Sequence, residues 1–264
     1  MTSWAALDAE LDRWAEAGRR ATLWWRDDDA VAATPQLERL LLTARRRDGE
    51  PVPLCLAVIP AAADSGLAAT VAAQKRLSVL QHGFAHRNHA PPGEKKAELG
   101  AHRPVAAILD ELSAGRDRLR QMFAAAFLPV LVPPWNRMAS PVRDGLGRIG
   151  LRGYSAYGAR APGERGVVNA HVDIVAWHQG RGFLGGPAAL GLLIGHLSAR
   201  REGRADAEEP TGLLTHHLVH DEGCWEFLTD LLHLLEGRRE VRWLAGADIF
   251  GQTGAVAPAT SMSA

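Results

Sequence analysis

The chain has 264 residues, 47% apolar and 23% charged, which suits one large soluble α/β domain with a real core. Its 30 Lys and Arg balance its 30 Asp and Glu, so no basic footprint argues for nucleic acid. The two cysteines, Cys55 and Cys224, are too few for a patterned disulfide framework and read as buried free thiols. No run of about 18 apolar residues exists, so no membrane span is expected.

Residues 3–18 read as an amphipathic helix with Trp4, Leu7, Leu11 and Trp14 near one face. That segment carries acids where a signal peptide would be basic, and a cytoplasmic location is the expectation. Thr22–Asp27 form a first predicted strand, and Pro35–Arg47 a helix with Pro35 near its first turn. Val52–Ile59 form a buried apolar strand that stops at Pro60. A short helix follows, capped by Asp64 or Ser65. Leu77–Gln81 are the next strand, and they run into HGFAHRNH. After a polar insert, Val105–Phe123 form a strong helix, Phe127–Val132 a strand ending in PPWNR, and Ser140–Ile149 a helix. Leu151–Tyr157 and HVDIVAW read as strands, then Pro187–Arg200 as a helix. Leu213–Val219 form a strand, Cys224–Leu235 a helix and Val241–Leu244 a final strand. About seven or eight β–α units argue for a distorted (β/α) barrel with about seven strands rather than an open sheet. Residues 1–250 make one domain, with 251–264 expected as a disordered tail.

In such a barrel the site sits at the C-terminal ends of the strands, and the unusual residues fall there. Asp27, Asp28 and Asp29 follow Arg26 at the end of the first strand. Adjacent carboxylates are costly to desolvate unless a cation or proton offsets them, so the cluster suggests a metal ligand and a general base. The alternative is a solvated acidic turn. His82 and His86, four apart after a strand, can reach one ion. With one carboxylate they would leave positions for water, an arrangement suited to hydrolysis. His89 is a further candidate or a plain loop residue. His216 and His217 alternate faces, so only one can point into a site, where it could protonate a leaving amine. His220 shares the spacing of the first pair. Pro133 and Pro134 fix a turn whose next backbone N–H, that of Trp135, could stabilise an oxyanion. The Trp135 ring could also stack on a sugar. Asp173 could orient a histidine or base, and Trp177 could pack beneath the site.

Taken in order, these motifs resemble the polysaccharide deacetylase (NodB-homology) family of metal-dependent N-deacetylases, over roughly residues 20–245. The acid cluster is similar to the family's paired aspartates. HGFAH matches its His-x-x-x-His motif, VPPW its Arg-x-Pro-aromatic turn, and Leu214-Thr215-His216 its Leu-x-His. The resemblance implies Asp29, His82 and His86 as ligands of one divalent metal, usually zinc, since Ala30 matches the small residue after the metal-binding aspartate. Asp28 would be the base, with Asp27/Asp28 as the fallback pair. His216 would be the general acid, and the Trp135 N–H would face the oxyanion. Two departures stand out. The family's TFDDG is RDDDA here, and its third-motif arginine is Val132, for which Arg137 could substitute. The expectation is a hydrolase removing an N-acyl group from an amino sugar or related small amide, with Arg137 and Trp177 contacting a small-molecule or glycan substrate. The rival readings are a barrel that binds carbohydrate or a partner without turnover, and a two-metal phosphoester hydrolase.

Overall fold

The computed structural model describes residues 2–47, 49–178 and 180–251. Most of the expected tail lies outside the described residues. Among the described residues there are eight parallel strands: β1 (Ala21–Ala30), β2 (Leu54–Val58), β3 (Leu77–His82), β4 (Phe127–Val132), β5 (Gly153–Tyr154), β6 (Val172–Asp173), β7 (Thr211–Thr215) and β8 (Val241–Trp243). Seven follow the order β5-β4-β3-β2-β1-β7-β6, and β8 pairs with the start of β1. Between β5 and the segment leading into β6 the described backbone pairs as isolated bridges, Tyr154 with Val167 and Tyr157 with Ala170. The sheet therefore curls into a distorted barrel with a weak seam.

The helices are α1 (Trp4–Glu16), α2 (Pro35–Thr43), α3 (Ser65–Ala72), α4 (Val105–Phe123), α5 (Ser140–Gly145), α6 (Gly186–Arg201), α7 (Glu222–Glu236) and α8 (Gly246–Phe250). Ser3, Thr34, Asp64 and Asp221 cap α1, α2, α3 and α7 by accepting from first-turn amides. Helix α1 buries Leu7, Leu11 and Trp14 in the cluster between the outer strand faces and the helices. Truncating Leu11 there would remove about 2–5 kcal/mol. The barrel interior holds a smaller cluster of Trp24, Cys55, Ala57, Leu80, Val130, Val132 and Phe250. Helix α8, not expected from the sequence, supplies Phe250, edge-on to Trp24 at 5.7 Å between centroids. Both cysteines are free and buried. Among the described residues no helix is long and apolar enough to cross a membrane.

Candidate metal centre

The end of β1 sends three consecutive acids to two different places. Trp24 lies in the interior cluster and Trp25 in the outer one, so alternation puts Arg26 and Asp28 inward and Asp27 outward. Regular alternation would also turn Asp29 outward. Here β1 carries an extra residue: Asp27 pairs with Leu56, but Ala30 pairs with Val58. This is a bulge, and Asp29 sits in it at φ 70°, a conformation that Asp tolerates better than most residues. The bulge lets neighbouring Asp28 and Asp29 serve one site.

Asp29 Oδ1 lies 3.1 Å from His82 Nε2 and 3.4 Å from His86 Nε2, and one donor atom from each residue lies within 4.8 Å of the others. His82 Nδ1 is 3.0 Å from the Val132 carbonyl. A carbonyl only accepts, so that nitrogen carries the proton and leaves the Nε2 lone pair free. Asp29 Oδ1 is buried without a hydrogen-bond partner. The imidazole planes of His82 and His86 are tilted by 51° at 5.0 Å between centroids, so their in-plane lone pairs can converge. Two neutral imidazoles and a carboxylate facing one another can hold a cation between them, and this donor set fits a transition metal with open positions for water. Without a metal the site favours a proton. Burial works against charge on His82, but Asp29 and Asp28 outweigh it and raise the His82 pKa. Burial likewise opposes charge on Asp29, yet His82, His86 and His216 hold its carboxyl well below the usual range.

Asp28 is 3% exposed and paired with Arg26, which is fully buried. Arg26 Nη2 donates to Asp28 Oδ2 at 3.1 Å, and its Nε lies 2.8 Å from Oδ1 as an ion-pair contact without hydrogen-bond geometry, so the guanidinium clamps the carboxylate through one hydrogen bond and charge. Its other terminal nitrogen donates to the Ser155 hydroxyl at 2.6 Å and to the carbonyls of Ser155 and Ala156. Arg137 is not brought to Asp28; it donates to the Lys96 carbonyl at 2.8 Å. The guanidinium beside the inward aspartate comes from β1 itself, two residues upstream.

Asp27, behind the strand, accepts from the Thr215 hydroxyl at 2.6 Å and the His217 amide at 3.0 Å, and pairs with the His217 ring. Burial pushes its carboxyl up, but the His217 charge and hydrogen bonds pull it below the usual range. This outward pair fixes the turn after β7 and leaves His216 facing the site. His216 Nε2 is 3.9 Å from Asp28 Oδ2, and its Nδ1 is 3.9 Å from Asp173 Oδ1. His220 accepts from the His216 amide at 3.3 Å, a turn-fixing role.

Asp173 accepts from the Val175 amide and the Trp177 indole, and Trp177 stands edge-on to His216 at 4.6 Å. Trp135 lies against His86 at 4.3 Å. Its φ of 54° and the 56° of Asn136 put two non-glycine residues in the left-handed region, strain of a kind found at functional sites. His89 is not with the triad; its Nε2 meets Arg103 at 3.0 Å. Sequence reasoning missed the roles of Arg26 and of the Asp27–His217 pair, although the departure from TFDDG at these two positions was the signal.

A second cluster, His171, His196 and Glu209, also gathers three donors, near the start of β7 and away from this site. Its geometry does not suit a metal. The two rings are 3.4 Å apart and only 16° from parallel, so their lone pairs cannot meet at a metal about 2.0–2.1 Å from each nitrogen. His171 Nδ1 accepts from the Gly212 amide, which leaves the proton on Nε2. The cluster is a buried hydrogen-bonded network with a pH signature. Burial, then His171 and Arg200, press the His196 pKa from 6.5 down to about 2. The unfolded chain therefore takes up a proton below about pH 6.5 that the folded chain refuses. The stabilisation is full above that pH and falls with acid, by up to about 1.4 kcal/mol per pH unit. In urea unfolding between pH 7 and 5, His196→Gln should show a shallower loss of stability than the wild type. Parallel slopes would contradict a neutral His196.

No protein-family model matches the sequence. No curated protein matches it either. Solved structures do match. A protein from Mycobacterium smegmatis assigned as a polysaccharide deacetylase superposes with TM-score 0.55 at 15% identity, covering 89% of this chain and 90% of that one. The chitin deacetylase of the fungal pathogen Colletotrichum lindemuthianum gives 0.54 at 14%, covering 88% of each chain. With its curled parallel sheet and surrounding helices, the chain has the NodB-type deacetylase fold.

Proposed function

We propose that the protein is a cytoplasmic metal-dependent hydrolase that removes an N-acyl group, such as acetyl, from an amino sugar or related small amide. The observation that carries this reading is the convergence of Asp29, His82 and His86 beside Asp28 and His216, themselves 3.9 Å apart. A bound divalent ion, zinc by its donor preference, would polarise the scissile carbonyl and acidify a water. Asp28 takes the proton of the attacking water, held in place by the Arg26 clamp. The Trp135 backbone N–H, held in the turn after Pro133 and Pro134 at φ 54°, is the donor for the developing oxyanion. His216 protonates the departing amine, with Asp173 Oδ1 3.9 Å from its Nδ1 on the side away from Asp28. Trp135 and Trp177 offer aromatic walls suited to a sugar face or a short acyl chain. The chitin deacetylase neighbour supports a glycan substrate. The two-metal reading is disfavoured because the second donor cluster lies elsewhere and has the wrong ring geometry.

The test is elemental mass spectrometry of the purified protein with an acetate-release assay on N-acetylglucosamine oligomers. About one transition metal per chain, as a three-ligand catalytic site requires, together with released acetate is the expected result. Metal with oligomer binding but no acetate would favour the binding-only barrel. No metal after zinc supplementation would overturn the reading.

A further inference from the structure

The stretch between His86 and α4 reads as a polar insert, yet one of its acids is buried. Glu98 is 1% exposed, and its hydrogen bonds all run to one short segment. Its Oε2 accepts from the Phe84 amide at 3.1 Å, and its Oε1 from the amides of Ala85 at 2.7 Å and Arg87 at 3.3 Å. Those three amides flank His86. Amides converging on an ionised carboxylate make charge-assisted bonds, stronger than neutral ones.

Two further observations tie Glu98 to this segment. Gly83 has φ 57°, and a Cβ there would lie 1.9 Å from Glu98 Oε2 and 2.6 Å from Pro134 Cγ. The carboxylate therefore fills the space a side chain at position 83 would need. His86 itself is left-handed at φ 54°, a conformation of order 1–3 kcal/mol that persists only where the surroundings enforce it. The insert is anchored well enough to do so. Asn88 Oδ1 accepts from the Ala90 and Ala97 amides, and the Ala139 amide donates to the Leu99 carbonyl at 2.8 Å.

We infer that Glu98 is a positioning residue for His86: its carboxylate fixes the backbone of residues 84–87 so that the imidazole meets Asp29 and His82 before an ion arrives. The inference rests on the reading of those three residues as a metal centre. Glu98→Gln keeps the size but turns one acceptor into a donor that faces an amide, and Glu98→Ala removes all three bonds. Zinc affinity, measured by competition with a chromophoric chelator, should fall about 10–100-fold, as when groups that orient metal ligands are lost. Hydrogen exchange of the Phe84, Ala85 and Arg87 amides in metal-free protein should accelerate while the β1–β3 amides stay protected. Gly83→Ala should weaken zinc binding less on the Glu98→Ala background than on the wild type. Unchanged zinc affinity in Glu98→Gln and Glu98→Ala would overturn the role of Glu98 alone, as would exchange that accelerates equally across the domain. A wild-type protein that binds no zinc would overturn the metal-centre reading and the role of Glu98 with it.

Discussion

Asp29→Asn is expected to abolish zinc binding and turnover together while the chain stays folded. Asn is among the few residues that accept a left-handed backbone, so the bulge at φ 70° survives the exchange. What is lost is the anionic donor between two imidazoles at 3.1 and 3.4 Å. The loss of zinc affinity should exceed the about 10–100-fold typical of outer partners. His216→Asn makes the contrast. His216 lies outside the three-donor group, so zinc should remain, while turnover falls by about 10²–10⁴-fold, the usual loss of a general acid. Zinc titration, acetate release and far-UV circular dichroism on both variants separate the two roles. Full zinc binding by Asp29→Asn would mean that the carboxylate ligand lies elsewhere.

The sequence reveals the frame of the site more readily than its wiring. Strand β4 and helix α4 begin and end where the apolar periodicity and the prolines after Val132 predict. Strand β1 runs on to Ala30, past the Asp27 limit expected, because a barrel mouth can hold carboxylates that an ordinary strand interior would reject. Strands β5 and β6 shrink to two residues each, since the seam between them gives their longer apolar stretches no regular partner. Alternation alone says that only one of His216 and His217 faces inward. Which one depends on the pairing of Asp27 with Thr215 across β1 and β7, a relation 188 residues apart in the chain. The bulge that brings Asp29 to the side of Asp28 is a register effect between β1 and β2, with no compositional mark. Glu98 was hidden for a simpler reason. An acid in a polar insert looks solvated until the chain folds over it.

Arg26→Leu is expected to destabilise the fold by about 3–5 kcal/mol, because it strands the Asp28 carboxylate, a buried charge without its partner. Both groups are nearly inaccessible, Arg26 at 0% and Asp28 at 3% exposure, so solvent cannot make up the loss. Without the guanidinium the Asp28 carboxylate also loses the partner that orients it toward an attacking water. Removing both charges in Arg26→Leu/Asp28→Asn should therefore cost less than the sum of the single changes, with a coupling of about 0.5–3 kcal/mol. Arg26→Lys should not restore function. A single ammonium cannot hold both Asp28 oxygens and also reach the Ser155 hydroxyl and the Ser155 and Ala156 carbonyls, a task for the planar guanidinium fork. Zinc content should stay near wild type in Arg26→Lys while turnover drops, which distinguishes a clamp on the base from a part of the metal centre. Urea unfolding of the cycle measures the coupling. Strict additivity would show that Arg26 holds the Ser155 and Ala156 carbonyls alone, and that Asp28 owes its orientation to the bulge in β1.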